Sequence, residues 1–194
     1  MELDLENTYV TSDLHLWHKN IIKYCNRPYE LTDEGIAKMN EDLLQQIDAL
    51  PEGSLLINNG DLFMGKVGTS EVKTAVQRMK QNNKKLWLIM GNHDRAFKRY
   101  LDPKGSRTSY EICVDLGFDF VSPVPILIEG KYIFSHEPVI LSENDNFINV
   151  HGHTHDNDCD WECPEICNMK HKYINVCWDK IHKIPSLEEL FDSL

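Results

Sequence analysis

The sequence predicts an α/β protein, with parallel strands covered by helices in its first half and mostly strand in its second. Three observations carry this. As far as residue 117, short apolar runs alternate with segments of helical period, the pattern of parallel strands buried beneath helices. Beyond that point apolar runs follow one another over short connections. Five of the runs end in side chains able to hold a metal, and in open α/β sheets ligands bind outside the carboxyl ends of the strands. At 194 residues the chain has about one domain's length, enough to bury roughly 70% of its unfolded surface, so a single domain over residues 1–194 is expected.

In chain order, Tyr9-Val10-Thr11-Ser12 reads as the first strand and leads into Asp13-Leu14-His15. A short helix is expected from His18 to Cys25. It ends at Asn26-Arg27-Pro28-Tyr29, because proline disfavours helix in the residue before it. Thr32 is placed to cap the next helix, where Ile36, Met39, Leu43, Leu44, Ile47 and Leu50 follow the helical period until Pro51-Glu52-Gly53 closes it. Leu55-Leu56-Ile57-Asn58-Asn59 makes the second strand and ends in Gly60-Asp61. Val72, Ala75, Val76 and Met79 mark another amphipathic helix, before the buried strand Leu86-Trp87-Leu88-Ile89-Met90. The glycine of Gly91-Asn92-His93-Asp94 then lets the backbone turn and expose an amide, an imidazole and a carboxylate together. Strands follow at Phe118 to Val121, Pro125 to Ile128, Lys131 to Phe134, Phe147 to Val150 and Tyr173 to Trp178, with Glu129-Gly130 as a hairpin turn. The fourth ends in His151-Gly152-His153-Thr154-His155, and the third in Ser135-His136. Ser186-Leu187-Glu188-Glu189 has the form of a capping box opening a last short helix.

Composition narrows the function classes. A hydrophobic share of 41% and a charged share of 26% are those of an ordinary soluble globular protein. The opening Met1-Glu2-Leu3-Asp4-Leu5-Glu6 lacks the basic and apolar regions of a signal peptide, and no apolar run approaches the roughly 18 residues of a membrane helix. A cytoplasmic protein without a membrane partner is therefore expected. A net charge of −11 repels nucleic-acid backbones, which argues against an extended nucleic-acid partner. Six irregularly spaced cysteines are expected as reduced thiols. Oligomeric state has no signal in the sequence.

The metal-compatible side chains are carboxylates, imidazoles and one amide, without cysteine, a set suited to Mn, Fe, Zn or similar divalent ions. Two such ions roughly 3.5–4 Å apart can hold a nucleophilic hydroxide, neutralise phosphoryl oxygens and orient an in-line displacement. They would also cancel about four negative charges locally, making an anion pocket in an acidic chain.

Asp13-x-His15, Gly60-Asp61, Gly91-Asn92-His93-Asp94, His136 and Gly152-His153-x-His155 occur in the order found in the calcineurin-like metallophosphoesterases. The chain resembles that family from residue 8 to residue 155. The resemblance implies a four-layer αββα sandwich, two mixed sheets flanked by helices, and a phosphodiester or phosphomonoester hydrolase using two divalent ions (Mn, Fe, Zn or Ni) on a small or nucleotide-like phosphate ester. By the same resemblance Asp13, His15 and His155 would hold one ion and Asn92, His136 and His153 the other, with Asp61 bridging. His93 would bind a phosphoryl oxygen and protonate the leaving oxygen. Met64 and Gly65 stand where the Ser/Thr protein phosphatases and purple acid phosphatases carry other residues, which disfavours both branches. The segment from Thr11 to Ile22, with Asn26-Arg27-Pro28, is most similar to small bacterial and phage phosphoesterases, in which glycine is common where this chain has Trp17. That ring either narrows the substrate range or packs on the surface.

Other residues admit two readings each. His18 is a candidate substrate contact at the start of its helix, where free amides favour anions, or a surface histidine. Arg27 offers a fork suited to phosphate, or a loop salt bridge. His151 reads as structural. Arg95, Lys98, Arg99, Lys104 and Arg107 make a solvated helix face or a steering patch. Cys159, Cys163, Cys167 and His171 could share a zinc only if Pro164 breaks the helix. On a continuous helix the first and third lie about 12 Å apart, so a solvent-facing excursion with reduced thiols is the favoured reading. Two alternative functions stand beside the hydrolase. A nuclease of this fold would want a broad basic surface, and a non-catalytic scaffold would have lost ligands that this chain retains.

Overall fold

The computed structural model describes residues 3–65, 67–96, 98–157 and 165–192. Two four-stranded sheets form the frame. The first contains β1 (Thr8–Thr11), β2 (Leu55–Asn58), β3 (Lys85–Ile89) and β4 (Phe120–Ser122), all parallel and in that order, with an isolated antiparallel bridge between Tyr9 and Ser186. The second contains β5 (Ile126–Ile128), β6 (Tyr132–Ser135), β7 (Ile148–His151) and β8 (Tyr173–Asn175). Only β5 and β6 run antiparallel there. Their turn holds Glu129 at φ 55° and Gly130 at φ 64°, the mirror-image conformation that matches strand twist in a tight hairpin.

The helices are α1 (Ile21–Tyr24), α2 (Asp33–Asp48), α3 (Thr69–Met79), α4 (Asn92–Arg95), α5 (Lys98–Leu101), α6 (Ser109–Leu116), α7 (Glu165–Asn168), α8 (Trp178–Ile181) and α9 (Leu187–Phe191). Thr32 caps α2 by accepting a hydrogen bond from Gly35 N at 3.0 Å. The capping box expected at Ser186 forms by half. Its hydroxyl accepts from Glu189 N, while the Glu189 carboxylate pairs with Lys183 at 3.0 Å.

Alternation along the strands sorts the side chains into layers. Leu56, Leu86 and Leu88 face the apolar stripes of α2 (Met39, Leu43, Ile47) and α3 (Val72, Val76, Met79). Val10, Ile57 and Ile89 point the other way and meet Ile128, Phe134, Val150 and Ile174 of the second sheet. Full burial of one such aliphatic side chain is worth about 1.5–3 kcal/mol, so this seam between sheets fixes their relative placement. A third cluster of Leu141, Ile166, Met169 and Tyr173 brings α7 against β8. Helices, sheet, sheet and helices make the calcineurin-like sandwich that the sequence implied.

Three local expectations are corrected. The helix expected from His18 begins at Ile21. The strand expected to run to Trp178 ends at Asn175, whose side chain accepts from Cys177 N at 2.9 Å and turns the chain into α8. Cys177 then bridges to Ser12, and Trp178 N donates to Ser12 O at 3.0 Å, tying the two sheets at one end. The reduced state expected of the cysteines fails at Cys167, which is disulfide-bonded. Cys159 and Cys163 of the suggested zinc cluster lie outside the described residues, and His171 is exposed.

Candidate metal centre

The carboxyl ends of β1, β2, β3, β6 and β7 converge, and each delivers its motif to the same spot. Asp13 N donates to Gly60 O at 2.9 Å and His15 N to Asp61 O at 3.0 Å, which docks the β1 loop on the β2 loop. His153 N donates to Asp13 Oδ2 at 2.9 Å, which brings in the β7 loop from the other sheet. Five of these residues sit in the left-handed region: Asp13 (φ 57°), His15 (51°), Asp61 (52°), His153 (70°) and His155 (51°). Asp and His are among the few types that tolerate it.

Backbone approach is close enough to demand glycine. A Cβ on Gly91 would lie 2.1 Å from Asp61 Oδ1, and one on Gly152 would lie 2.0 Å from Ser12 Oγ.

Overlapping groups of ligand atoms emerge at the converging strand ends. Atoms of Asp13, His15 and His155 lie within 4.8 Å of one another, as do those of Asp13, Asp61 and His136 and those of His15, Asp61 and His93. Around His136 Nε2 stand Asn92 Oδ1 at 3.0 Å, His153 Nδ1 at 3.2 Å and Asp61 Oδ2 at 3.4 Å. The same Asp61 oxygen is 3.8 Å from His15 Nε2 and 3.7 Å from His93 Nε2. Asp61 thus stands between His136 and His15. His93 has a third of its side chain exposed, whereas those of Asp13, His15 and His136 are closed off.

The electrostatics are those of a site holding too much unpaired polarity. Burial pushes the Asp13 carboxyl up, and the imidazoles of His136, His15 and His155 outweigh it, leaving it well below the usual range. Burial likewise opposes the charged form of His136 and of His155. Asp13 and Asp61 nevertheless raise His136 to about 9, and Asp179, Cys25 and Asp13 raise His155 to about 10. Asp13 Oδ1 and both ring nitrogens of His15 are buried and make no hydrogen bond. A lone buried polar atom costs on the order of 1–3 kcal/mol. Asp13 Oδ1 and His15 Nε2 lie 3.7 Å apart, so a cation between them would satisfy both. The donor set of carboxylates, imidazoles and an amide oxygen fits one or two divalent ions.

The sequence matches the calcineurin-like phosphoesterase model over residues 7–183. The chain belongs to this family. An uncharacterized protein of Methanocaldococcus jannaschii is 28% identical over 186 residues, covering 94% of this chain and 88% of that protein. Calcineurin-like phosphoesterases are metal-dependent hydrolases of phosphate esters, and the chain is placed among them. Among the described residues, no helix is long and apolar enough to cross a membrane.

The remaining candidates fall in different places. His18 is buried beside the cluster, its ring 5.2 Å from that of His15 and 6.3 Å from that of His93. Burial and the neighbouring His15 lower its pKa to about 4, so it is neutral at pH 7. Arg27 is a correction. Its guanidinium is buried and fully engaged, with Asp179 at 2.7 and 2.9 Å and the carbonyls of Asp13 and Leu14 at 2.8 Å each, which leaves no fork for a substrate phosphate. His151 is buried on β7, with Nδ1 2.9 Å from Gly152 O. Arg95 pairs with Glu137, and Arg107 with Asp102 and Asp115, as on a solvated surface. Trp17, at φ 65°, tilts over Phe63 and borders a cleft of about 430 Å³ with Leu44, Thr74 and Arg78.

Sequence reasoning missed four supporting residues. Asp94 Oδ2 accepts from Asp61 N at 2.7 Å and Gly91 N at 3.0 Å, fixing the loop that carries the bridging candidate; burial and the Asp61 charge raise its carboxyl to about 7. Ser12 Oγ and Cys177 Sγ donate to Asp13 Oδ2 at 2.6 and 3.1 Å. Asp179 Oδ2 lies 2.7 Å from His155 Nδ1. Asp94 belongs to the Gly91–Asp94 motif and Ser12 adjoins Asp13, so the signal for both lay in the motifs themselves. Cys177 and Asp179 arrive from residues far along the chain, with no local signal.

Proposed function

We propose that this chain hydrolyses a small phosphodiester or phosphomonoester, nucleotide-like or otherwise, using two divalent ions drawn from Mn, Fe, Zn or Ni. The observation that carries the reading is the pair Asp13 Oδ1 and His15 Nε2, 3.7 Å apart, buried without hydrogen bonds among carboxylates and imidazoles. Asp13, His15 and His155 would hold one ion and Asn92, His136 and His153 the other, with Asp61 facing both. When bound, the ions supply an activated water and neutralise charge on the phosphoryl oxygens.

The protein's own groups do the rest. His93, a third exposed at the rim, would bind a phosphoryl oxygen and donate a proton to the departing oxygen, a step typically worth 10²–10⁴-fold. Asp61 Oδ1 holds His93 in place by accepting its backbone N–H at 2.9 Å. His18, neutral and next to His15, lines the same edge and can hydrogen-bond a substrate oxygen.

The test is turnover of bis(4-nitrophenyl) phosphate and a panel of phosphate esters with Mn, Ni, Zn and Mg, beside a metal count on the purified protein. Hydrolysis that needs the metal is expected. Asp61→Asn should lose more than any other carboxylate change, because it weakens both ions. Two bound metals without turnover of any ester would overturn the enzymatic reading.

A further inference from the structure

The buried pair Arg27–Asp179 lies outside every motif of the metal centre, yet it touches that centre from two sides. Arg27 Nη1 and Nη2 donate to Leu14 O and Asp13 O, the backbone of the first ligand segment, at 2.8 Å each. Arg27 Nε and Nη2 also donate to the two oxygens of Asp179, and Asp179 Oδ2 lies 2.7 Å from Nδ1 of His155, the last ligand segment. The side chains of Arg27 and Asp179 are at most 2% exposed. One guanidinium therefore connects the loop after β1 with the loop after β7, on opposite sheets.

The chemistry of that connection has one sense. A carboxylate that already accepts two N–H groups from arginine can only accept from a third partner. His155 Nδ1 must then be the donor, and its Nε2, 3.9 Å from Asp13 Oδ1, is left to offer its lone pair to a cation beside Asp13 and His15. We infer that Arg27 and Asp179 are positioning residues that fix the tautomer and aim of His155 toward the metal held with Asp13 and His15. The inference rests on the two-metal reading above. Support of this kind, a carboxylate behind a ligating imidazole, typically changes metal affinity 10–100-fold when removed.

Asp179→Asn is the direct perturbation. Its amide must place an N–H₂ against an arginine N–H, or against His155 Nδ1, where it would drive the imidazole proton onto Nε2 and block the ligand. The full-length wild type, Asp179→Asn, His155→Ala and the combined variant are stripped with chelator and titrated with Mn²⁺ by calorimetry, with a melting curve of each stripped protein. The expected result is two sites in the wild type, one of them weakened 10–100-fold in Asp179→Asn. The same site should weaken in His155→Ala, with no further loss in the combined variant. If Asp179→Asn does not fold, Arg27→Lys carries the same expectation, since it keeps the charge and loses the fork. Wild-type affinity at both sites, or a combined loss equal to the product of the single losses, overturns the inference. A wild type that binds fewer than two ions instead overturns the two-metal reading beneath it.

Discussion

Gly152→Ala is expected to damage fold and metal binding together. An alanine Cβ there would stand 2.0 Å from Ser12 Oγ, 2.5 Å from Asp13 Oδ2 and 2.7 Å from Ser12 Cβ, all inside 3.0 Å. The backbone of Gly152 is not left-handed, so the penalty is purely one of space. Nor are the obstructing atoms the ends of flexible chains. Ser12 and Asp13 are fully buried, and the hydroxyl is held by Asp13 Oδ2 at 2.6 Å and Asn59 O at 2.9 Å. Ser12 must retreat by about 1 Å, which breaks a hydrogen bond to a charged group worth about 1.5–3 kcal/mol and adds overpacking of about 1–3 kcal/mol. A total loss of roughly 2.5–6 kcal/mol lowers the melting temperature by roughly 5–24 °C for a chain of this size. Asp13, displaced with Ser12, should lose Mn²⁺ affinity as well. The assay is a thermal melt with and without Mn²⁺, followed by a calorimetric titration. Ser12→Ala removes the shortest contact, so Gly152→Ala should cost less in that background than alone. A Gly152→Ala protein that melts within about 2 °C of wild type and binds Mn²⁺ normally would refute the steric argument, since even 1 kcal/mol moves the melt by about that much.

His93→Ala should keep both metals and lose far more rate on an alkyl or nucleoside ester than on a nitrophenyl ester, because nitrophenolate leaves without a proton; equal losses on both would deny it the role of acid. Removing metal should lower the melting temperature, since a ligand bound only by the native state adds about 2.7 kcal/mol at a hundred times its dissociation constant; an unchanged melt with metal loss confirmed would contradict this. The stripped protein should also lose stability as pH rises. His136 and His155 titrate near 9 and 10 when folded and near 6.5 when unfolded, so their contribution is complete below about 6.5 and disappears as pH climbs through 9 to 10. Urea midpoints measured from pH 6 to pH 10 check the sign, and the decline should be shallower with Mn²⁺ present, where the ion takes the place of the protons.

Much of the fold was legible because two signals coincided, helical period in α2 and α3 and apolar runs ending in polar ligands. The parallel order of the first sheet follows from those alternations. Less was legible in the second half. Short strands at close spacing suggest hairpins, yet β6, β7 and β8 pair in parallel. Helix α6 has no clear sequence signal although Thr108 and Glu111 form a complete capping box, because its apolar positions Ile112, Cys113 and Leu116 span only five residues of an eight-residue helix. At the site, the motifs located side chains that converge, but Arg27 shows the limit of residue type as evidence. A guanidinium beside a phosphoesterase pocket reads as a phosphate fork until Asp179, 152 positions later, occupies it.

The left-handed turns at Asp13, His15, Asp61, His153 and His155 bear on how long the protein survives, apart from what it catalyses. Such residues cost on the order of 1–3 kcal/mol each, and a folded domain holds only about 5–15 kcal/mol in all. The scaffold must supply that stabilisation in advance, and bound ions return part of it. In a cell short of metal, the emptied chain combines contorted loops with unmated buried atoms, so a larger fraction is open to proteases at any moment. Scarcity would then be felt as fewer molecules before it is felt as slower ones.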